Sequence, residues 1–89
     1  MGSKTNLRTL RYRHHITLAQ MASCAGLSGQ YISRAELGEI AATPRLEVQM
    51  SAALEAVISK RRTELQALET DYMTYKGSLL KKGEHPHEQ

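Results

Sequence analysis

The stretch TLAQMASCAGLSGQYISRAELG, from Thr17 to Gly38, decides how the rest of the chain is read. Leu18, Met21, Ala22 and Ala25 recur at spacings of three and four, which gathers them on one face of a helix. Thr17 stands where a capping hydroxyl is needed at its start. Gly26 follows the last periodic residue, and a residue without Cβ enters the left-handed conformation that stops a helix at little steric cost. Leu27 is then expected to plug the space before a second helix, for which Ser28 offers an oxygen to the orphan backbone N–H groups. That helix is predicted to run from about Gly29 to Leu37. Ile32, Ala35 and Leu37 are its inward candidates. Gln30, Ser33 and Arg34 are left on the outer side, each able to hydrogen-bond and none suited to burial. A polar-faced helix held at an angle by a glycine turn fits a DNA major groove.

The run T-x-x-x-M-A-x-x-A-G-L-S-x-x-Y-I-S-R-x-E-x-G resembles the DNA-binding domain shared by the lambda repressor, Cro and Xre-like regulators. The likeness also takes in L-R-x-L-R from Leu7 to Arg11 and P-x-L-E from Pro44 to Glu47, whereas nothing in the last third of the chain belongs to it. It implies an all-α fold whose helix-turn-helix domain occupies residues 1–54. It also implies an ion pair between Arg11 on the first helix and Glu36 on the third, which would fix the angle of the recognition helix. Three features depart from the family's pattern. Leu18 replaces the glutamine that often follows the threonine, so the brace it provides is missing or falls to Gln20. The loop from Glu39 to Thr43 is longer than usual, and Glu55 stands where many relatives have a terminating glycine.

Chemistry assigns roles within that frame. Gln30 can pair an adenine at N6 and N7, Arg34 can take a guanine at O6 and N7 or a phosphate, and Ser33 suits either kind of contact. Gly29, lacking a side chain, lets the backbone approach a base closely. Thr17, Ser28, Tyr31, Thr43 and Arg45 are candidate phosphate contacts that set position without reading sequence.

Twelve Lys plus Arg against nine Asp plus Glu give a formal charge of +3, too mild to demand a nucleic-acid partner. Placement is more telling, because Arg8, Arg11, Arg13, His14 and His15 precede the first acidic residue, Glu36. Such a basic half is the footprint expected of a surface that meets phosphates. The single cysteine, Cys24, can form no internal disulfide and reads as a half-buried helix residue. No metal site and no cofactor are expected. His14 and His15 are adjacent and point about 100° apart on a helix, and the His85–Pro86–His87 tail is a weak ligand set. No apolar run reaches the roughly 20 residues that span a bilayer, so the expectation is a soluble, cytoplasmic protein.

The first helix is predicted from Asn6, as cap, to about His14, with Leu7 and Leu10 buried and Ile16 closing the end. Thr43 and Pro44 announce another helix, capped by the hydroxyl and opened by the proline. Leu46, Met50, Ala53 and Leu54 give it a face that closes the small domain. From Arg45 to Lys76 there is neither glycine nor proline, so one long helix is expected. Leu54, Ile58, Arg61, Leu65, Leu68, Tyr72, Tyr75 and Leu79 step along it by alternating fours and threes, a heptad seam with one polar interruption. A stripe with no partner in its own chain predicts a homodimer through residues 55–82, with 83–89 as a flexible tail. Arg61 would snorkel outward or meet an acidic residue such as Glu64.

These readings point to a small dimeric transcriptional repressor that occupies a palindromic operator on double-stranded DNA. Compact regulators of the kind resembled commonly belong to phages, plasmids and toxin–antitoxin or restriction modules. The alternative is a DNA-associated adaptor or antitoxin-like module whose C-terminal helix binds a different protein. An enzyme is not expected, since no nucleophile–base spacing or carboxylate pair stands out.

Overall fold

The computed structural model describes residues 5–82. Residues 1–4 and the 83–89 tail, with its His85 and His87, lie outside the described residues. Among the described residues four helices follow one another: α1 (Asn6–Arg13), α2 (Leu18–Ala25), α3 (Gly29–Glu36) and α4 (Pro44–Tyr75). The described residues contain no strand, and none of their helices is long and apolar enough to cross a membrane.

Every helix opens on a hydroxyl. The side chains of Thr5, Thr17, Ser28 and Thr43 accept from the backbone N–H groups of Arg8, Gln20, Tyr31 and Leu46 at 3.0–3.3 Å. Each satisfies one of the donors that a helix start leaves without a partner. Thr5 rather than Asn6 therefore caps α1, because its oxygen lies one turn before the Arg8 N–H and Asn6 is already helical. At α2 the cap is reciprocal, since Gln20 Oε1 accepts from Thr17 N–H at 2.9 Å.

Helix ends follow equally local rules. Gly26 (φ +71°) and Gly38 (φ +79°) take the left-handed conformation that terminates α2 and α3. At the end of α1 the same job falls to His15, at φ +55°. There Ile16 N–H reaches back to Arg11 C=O at 2.8 Å, which closes the turn. A side chain with a Cβ is disfavoured in this conformation, so the turn needs outside support, and two guanidinium groups described below provide it.

The core is small. Ile16, Met21, Ile32, Met50, Ala53 and Val57 are buried, with Leu7, Leu18, Leu27, Leu46 and Leu54 packed partly against them. Met21 and Ile32 are fully enclosed, each contributing about 1.5–3 kcal/mol through burial. They join α2 to α3 and to the first half of α4. Three residues expected to face inward are not in it: Ala35 is only half-buried, Leu10 is 39% exposed and Leu37 51% exposed. Leu10 stays open because α1 and α4 do not close on each other, leaving a groove of about 370 Å³ whose walls include Leu7, Leu10, Leu46, Met50 and Leu54. Leu37 has left α3 and serves as its C-cap.

One charged pair sits in this interior. Arg11 Nε donates to Glu36 Oε2 at 2.7 Å, its Nη2 donates to Oε1 at 2.9 Å, and Nη1 donates to Ile16 C=O at 2.9 Å. The arginine side chain is 5% exposed and the carboxylate not at all. The bidentate bond to Glu36 raises the Arg11 pKa above its ordinary value despite the opposing effect of burial, so the guanidinium stays charged. One side chain thus ties α1 to α3 and to the α1–α2 turn.

The fourth helix has 32 residues, or ~48 Å at the α-helical rise, and the molecule's long axis is 54 Å. Its last buried residue is Val57. Arg61, one turn further on, still bonds to the α1–α2 turn, and beyond it the helix continues for nearly four turns outside the domain, at 3.6 residues per turn. It ends at Tyr75, and the chain turns at Gly77 (φ +92°). Leu79 is therefore not on the helix, and the expected seam loses its last member.

Removing one partner from a buried ion pair strands the other charge, at a cost of about 3–5 kcal/mol. Glu36→Ala is expected to lower the thermal midpoint by more than about 10 °C in a domain of this size. An unchanged melting curve in calorimetry would contradict the role given to Arg11–Glu36.

Candidate nucleic-acid interface

Because Ile32 and Glu36 turn inward one helical turn apart, the opposite side of α3 faces water. Gln30, Tyr31 and Arg34 are exposed there, and Ser33 lies half-buried on the flank. Gly29 is half-buried as well, and a Cβ on it would lie 3.5 Å from the Leu18 Cβ, an ordinary contact. Its missing side chain thus leaves room beside α2. Arg34 Nε lies 3.4 Å from Glu39 Oε1, with both side chains more than half exposed. A pair so open to solvent is worth only ~0–1 kcal/mol, so Arg34 can leave Glu39 for a stronger acceptor at small cost.

The candidate phosphate contacts cluster at helix starts. Thr17, Ser28 and Thr43 are the N-caps of α2, α3 and α4, all exposed, and each places a hydroxyl beside the positive end of a helix dipole. Arg45 is exposed in the first turn of α4, and Tyr31 is 38% exposed. Gln20, the alternative brace for the absent glutamine, is occupied by the Thr17 N–H.

The basic run before α2 is partly spent inside the molecule. Arg11 is buried against Glu36, and Arg8 is half-buried, 3.6 Å from the same carboxylate. Both guanidinium groups also sit over the Tyr12 ring, at 4.9 and 5.0 Å from its centre. Only Arg13, His14 and His15 of the five residues are exposed. The footprint read from the sequence is correspondingly smaller, because a count of charges does not distinguish a surface arginine from one that pairs with Glu36.

The seam residues divide into two groups. Leu54 packs partly against the core of its own domain. Arg61, expected to snorkel outward or meet Glu64, instead turns to the α1–α2 turn, where Nη1 and Nη2 donate to His14 C=O and His15 C=O at 2.6 and 2.9 Å. With Arg11 on Ile16 C=O, two guanidinium groups bind three successive carbonyls around the strained His15. Ile58, Leu65, Leu68, Tyr72 and Tyr75 are 42–64% exposed, and Met73 beside them is 64% exposed.

Val57, buried one turn after Ala53, went unread in the sequence although its spacing from Met50 and Ala53 fits the inward face of α4. Arg61 carried no signal of its own, since its acceptors are backbone atoms 46 and 47 residues away. Among the described residues no group of His, Cys, Asp or Glu side chains is arranged to hold a metal ion. No protein-family model, curated protein or solved structure matches the chain.

Charge-assisted hydrogen bonds in a partly exposed setting contribute of order 1–2 kcal/mol. Arg61→Ala is therefore expected to lower the thermal midpoint by roughly 5–10 °C, with Arg61→Lys intermediate. Equal midpoints for all three proteins would show that the link between α4 and the α1–α2 turn carries no load.

Proposed function

We propose that this protein is a sequence-specific, double-stranded-DNA-binding repressor acting as a homodimer on an inverted-repeat operator. The observation that carries the reading is α3 itself, anchored from beneath by Ile32 and by Glu36 on Arg11, with Gln30, Tyr31 and Arg34 turned to solvent. A rigid helix with a hydrogen-bonding outer edge is the element that enters a major groove. In this reading α2, the turn at Gly26 and α3 form a helix-turn-helix. Gln30 and Arg34 read base edges, with Ser33 and the Gly29 backbone beside them. Thr17, Ser28, Tyr31, Thr43 and Arg45 hold phosphates.

One recognition helix reads only a few base pairs, and a twofold pair places two helices in successive major grooves about 34 Å apart or a further whole turn away. The bare half of α4 supplies the surface for pairing, through Ile58, Leu65, Leu68, Tyr72 and Tyr75. Repression then needs only occupancy of the promoter. A second reading, an adaptor or antitoxin-like module, draws on Met73, whose exposure widens the bare apolar face beyond the heptad stripe. In that case α4 binds a different protein.

Two outcomes test the proposal. Arg34→Ala should weaken binding to the selected duplex by about 1–3 kcal/mol while leaving random duplex nearly unaffected. An equal loss on both would reassign Arg34 to phosphate. In sedimentation equilibrium at tens of micromolar the protein should be a dimer, and Leu65→Glu with Leu68→Glu should yield a folded monomer. A monomeric parent protein would remove the twofold reading.

A further inference from the structure

The bare half of α4 continues the face that the domain already occupies. Met50, Leu54, Val57 and Arg61 face the chain's own α1–α2 turn, α2 and core, and Leu65, Leu68, Tyr72 and Tyr75 extend the same stripe by steps of four and three. One end of the stripe is thus filled and the other open to solvent. We infer that a second copy covers the open end in antiparallel orientation, with Leu65 of each copy opposite Leu68 of the other and the two domains at opposite ends of the pair. This rests on the dimer reading above and adds the direction of pairing.

Sterics give the first reason. A parallel partner lying along the stripe would run, at the other end of the same face, into the space held by α2 and the α1–α2 turn, and would bring its own domain to that place. An antiparallel partner brings up only its last helical turn. In this register Tyr72 of one copy comes level with Arg61 of the other, where a guanidinium and an aromatic ring attract each other.

Charge gives the second. With Leu65 at heptad position a and Leu68 at d, the flanking e positions (Glu55, Arg62, Glu69, Lys76) and g positions (Glu64, Asp71) of an antiparallel pair meet their own kind, e with e and g with g, and they choose orientation. With Leu65 on Leu68, Arg62 faces Glu69 of the second copy, and Glu55 faces Lys76. Against these favourable pairs stands one unfavourable pair, Glu64 with Asp71. Sliding the antiparallel pair by one heptad either way sets Glu69 against another glutamate and Arg62 against a cation. Parallel in-register pairing sets Glu64 against Glu69, which cancels the gain from Asp71 with Lys76.

The test uses spin labels on the full chain, with Cys24→Ala removing the native thiol and single substitutions Ser59→Cys, Thr63→Cys, Thr70→Cys and Thr74→Cys at exposed positions of α4. About the midpoint between Leu65 and Leu68, the axial separation between equivalent labels grows by roughly 3 Å per residue in an antiparallel pair. The Thr63 and Thr70 variants should therefore give similar distances, and the Ser59 and Thr74 variants similar distances longer by roughly 5–10 Å. Four near-equal distances would leave the dimer standing and overturn the antiparallel assignment. No coupling between chains, in variants whose helical spectra match the parent, would overturn the dimer reading and this inference together.

Discussion

The fold depends on a single buried charge pair. Glu36 sits on α3 and Arg11 on α1, and their bidentate bond, with Arg8 at 3.6 Å from the same carboxylate, holds α1 on α3, while the apolar core chiefly joins α2 to α3 and α4. A buried pair is rarely the most stabilising solution, because both ions lose water. Its value here is directional. Two parallel N–H···O bonds have one good geometry, whereas methyl groups on a core this small would accept several. The third bond, from Arg11 to Ile16 C=O, fastens the α1–α2 turn to the same point.

That turn is where the two halves of the molecule meet. His15 is held in a left-handed conformation, and the carbonyls on either side of it are bound from within by Arg11 and from α4 by Arg61. Arg61 also marks the level at which α4 leaves the domain, since no buried residue follows Val57 along the described helix. A long helix fixed to the domain by an arginine at its point of departure transmits the domain's orientation to whatever pairs with its free half. In the repressor reading, the spacing between two recognition helices is set there.

Much of this was legible in the sequence, for physical reasons that differ by element. Caps and stops are local, so Thr17, Ser28, Thr43, Gly26 and Pro44 identified the starts of three helices and the end of one without tertiary information. The Arg11–Glu36 pair was reached through the resemblance, because nothing in spacing alone joins residues 25 apart. What stayed hidden was tertiary competition for the same groups. Arg8 counted as surface charge and is drawn toward Glu36. Leu10 matched a buried period and is left over an open groove. Arg61 looked like a flaw in a heptad and is a brace to backbone oxygens. Leu79 kept the heptad step, but the helix stops at Tyr75. On α3 the outer positions Gln30 and Arg34 were readable from their distance in register from Ile32. The half-burial of Gly29 and Ser33 depended on where α2 lies.

In the repressor reading, α3 is presented to base pairs twice, by two copies related by a twofold axis. Selection of bound sequences from a pool of random duplex DNA tests it most directly. A twofold repressor should enrich an inverted repeat whose half-sites of a few base pairs are centred a whole number of helical turns apart. Recovery of no enriched sequence, or of a single asymmetric site with no second half, would contradict it.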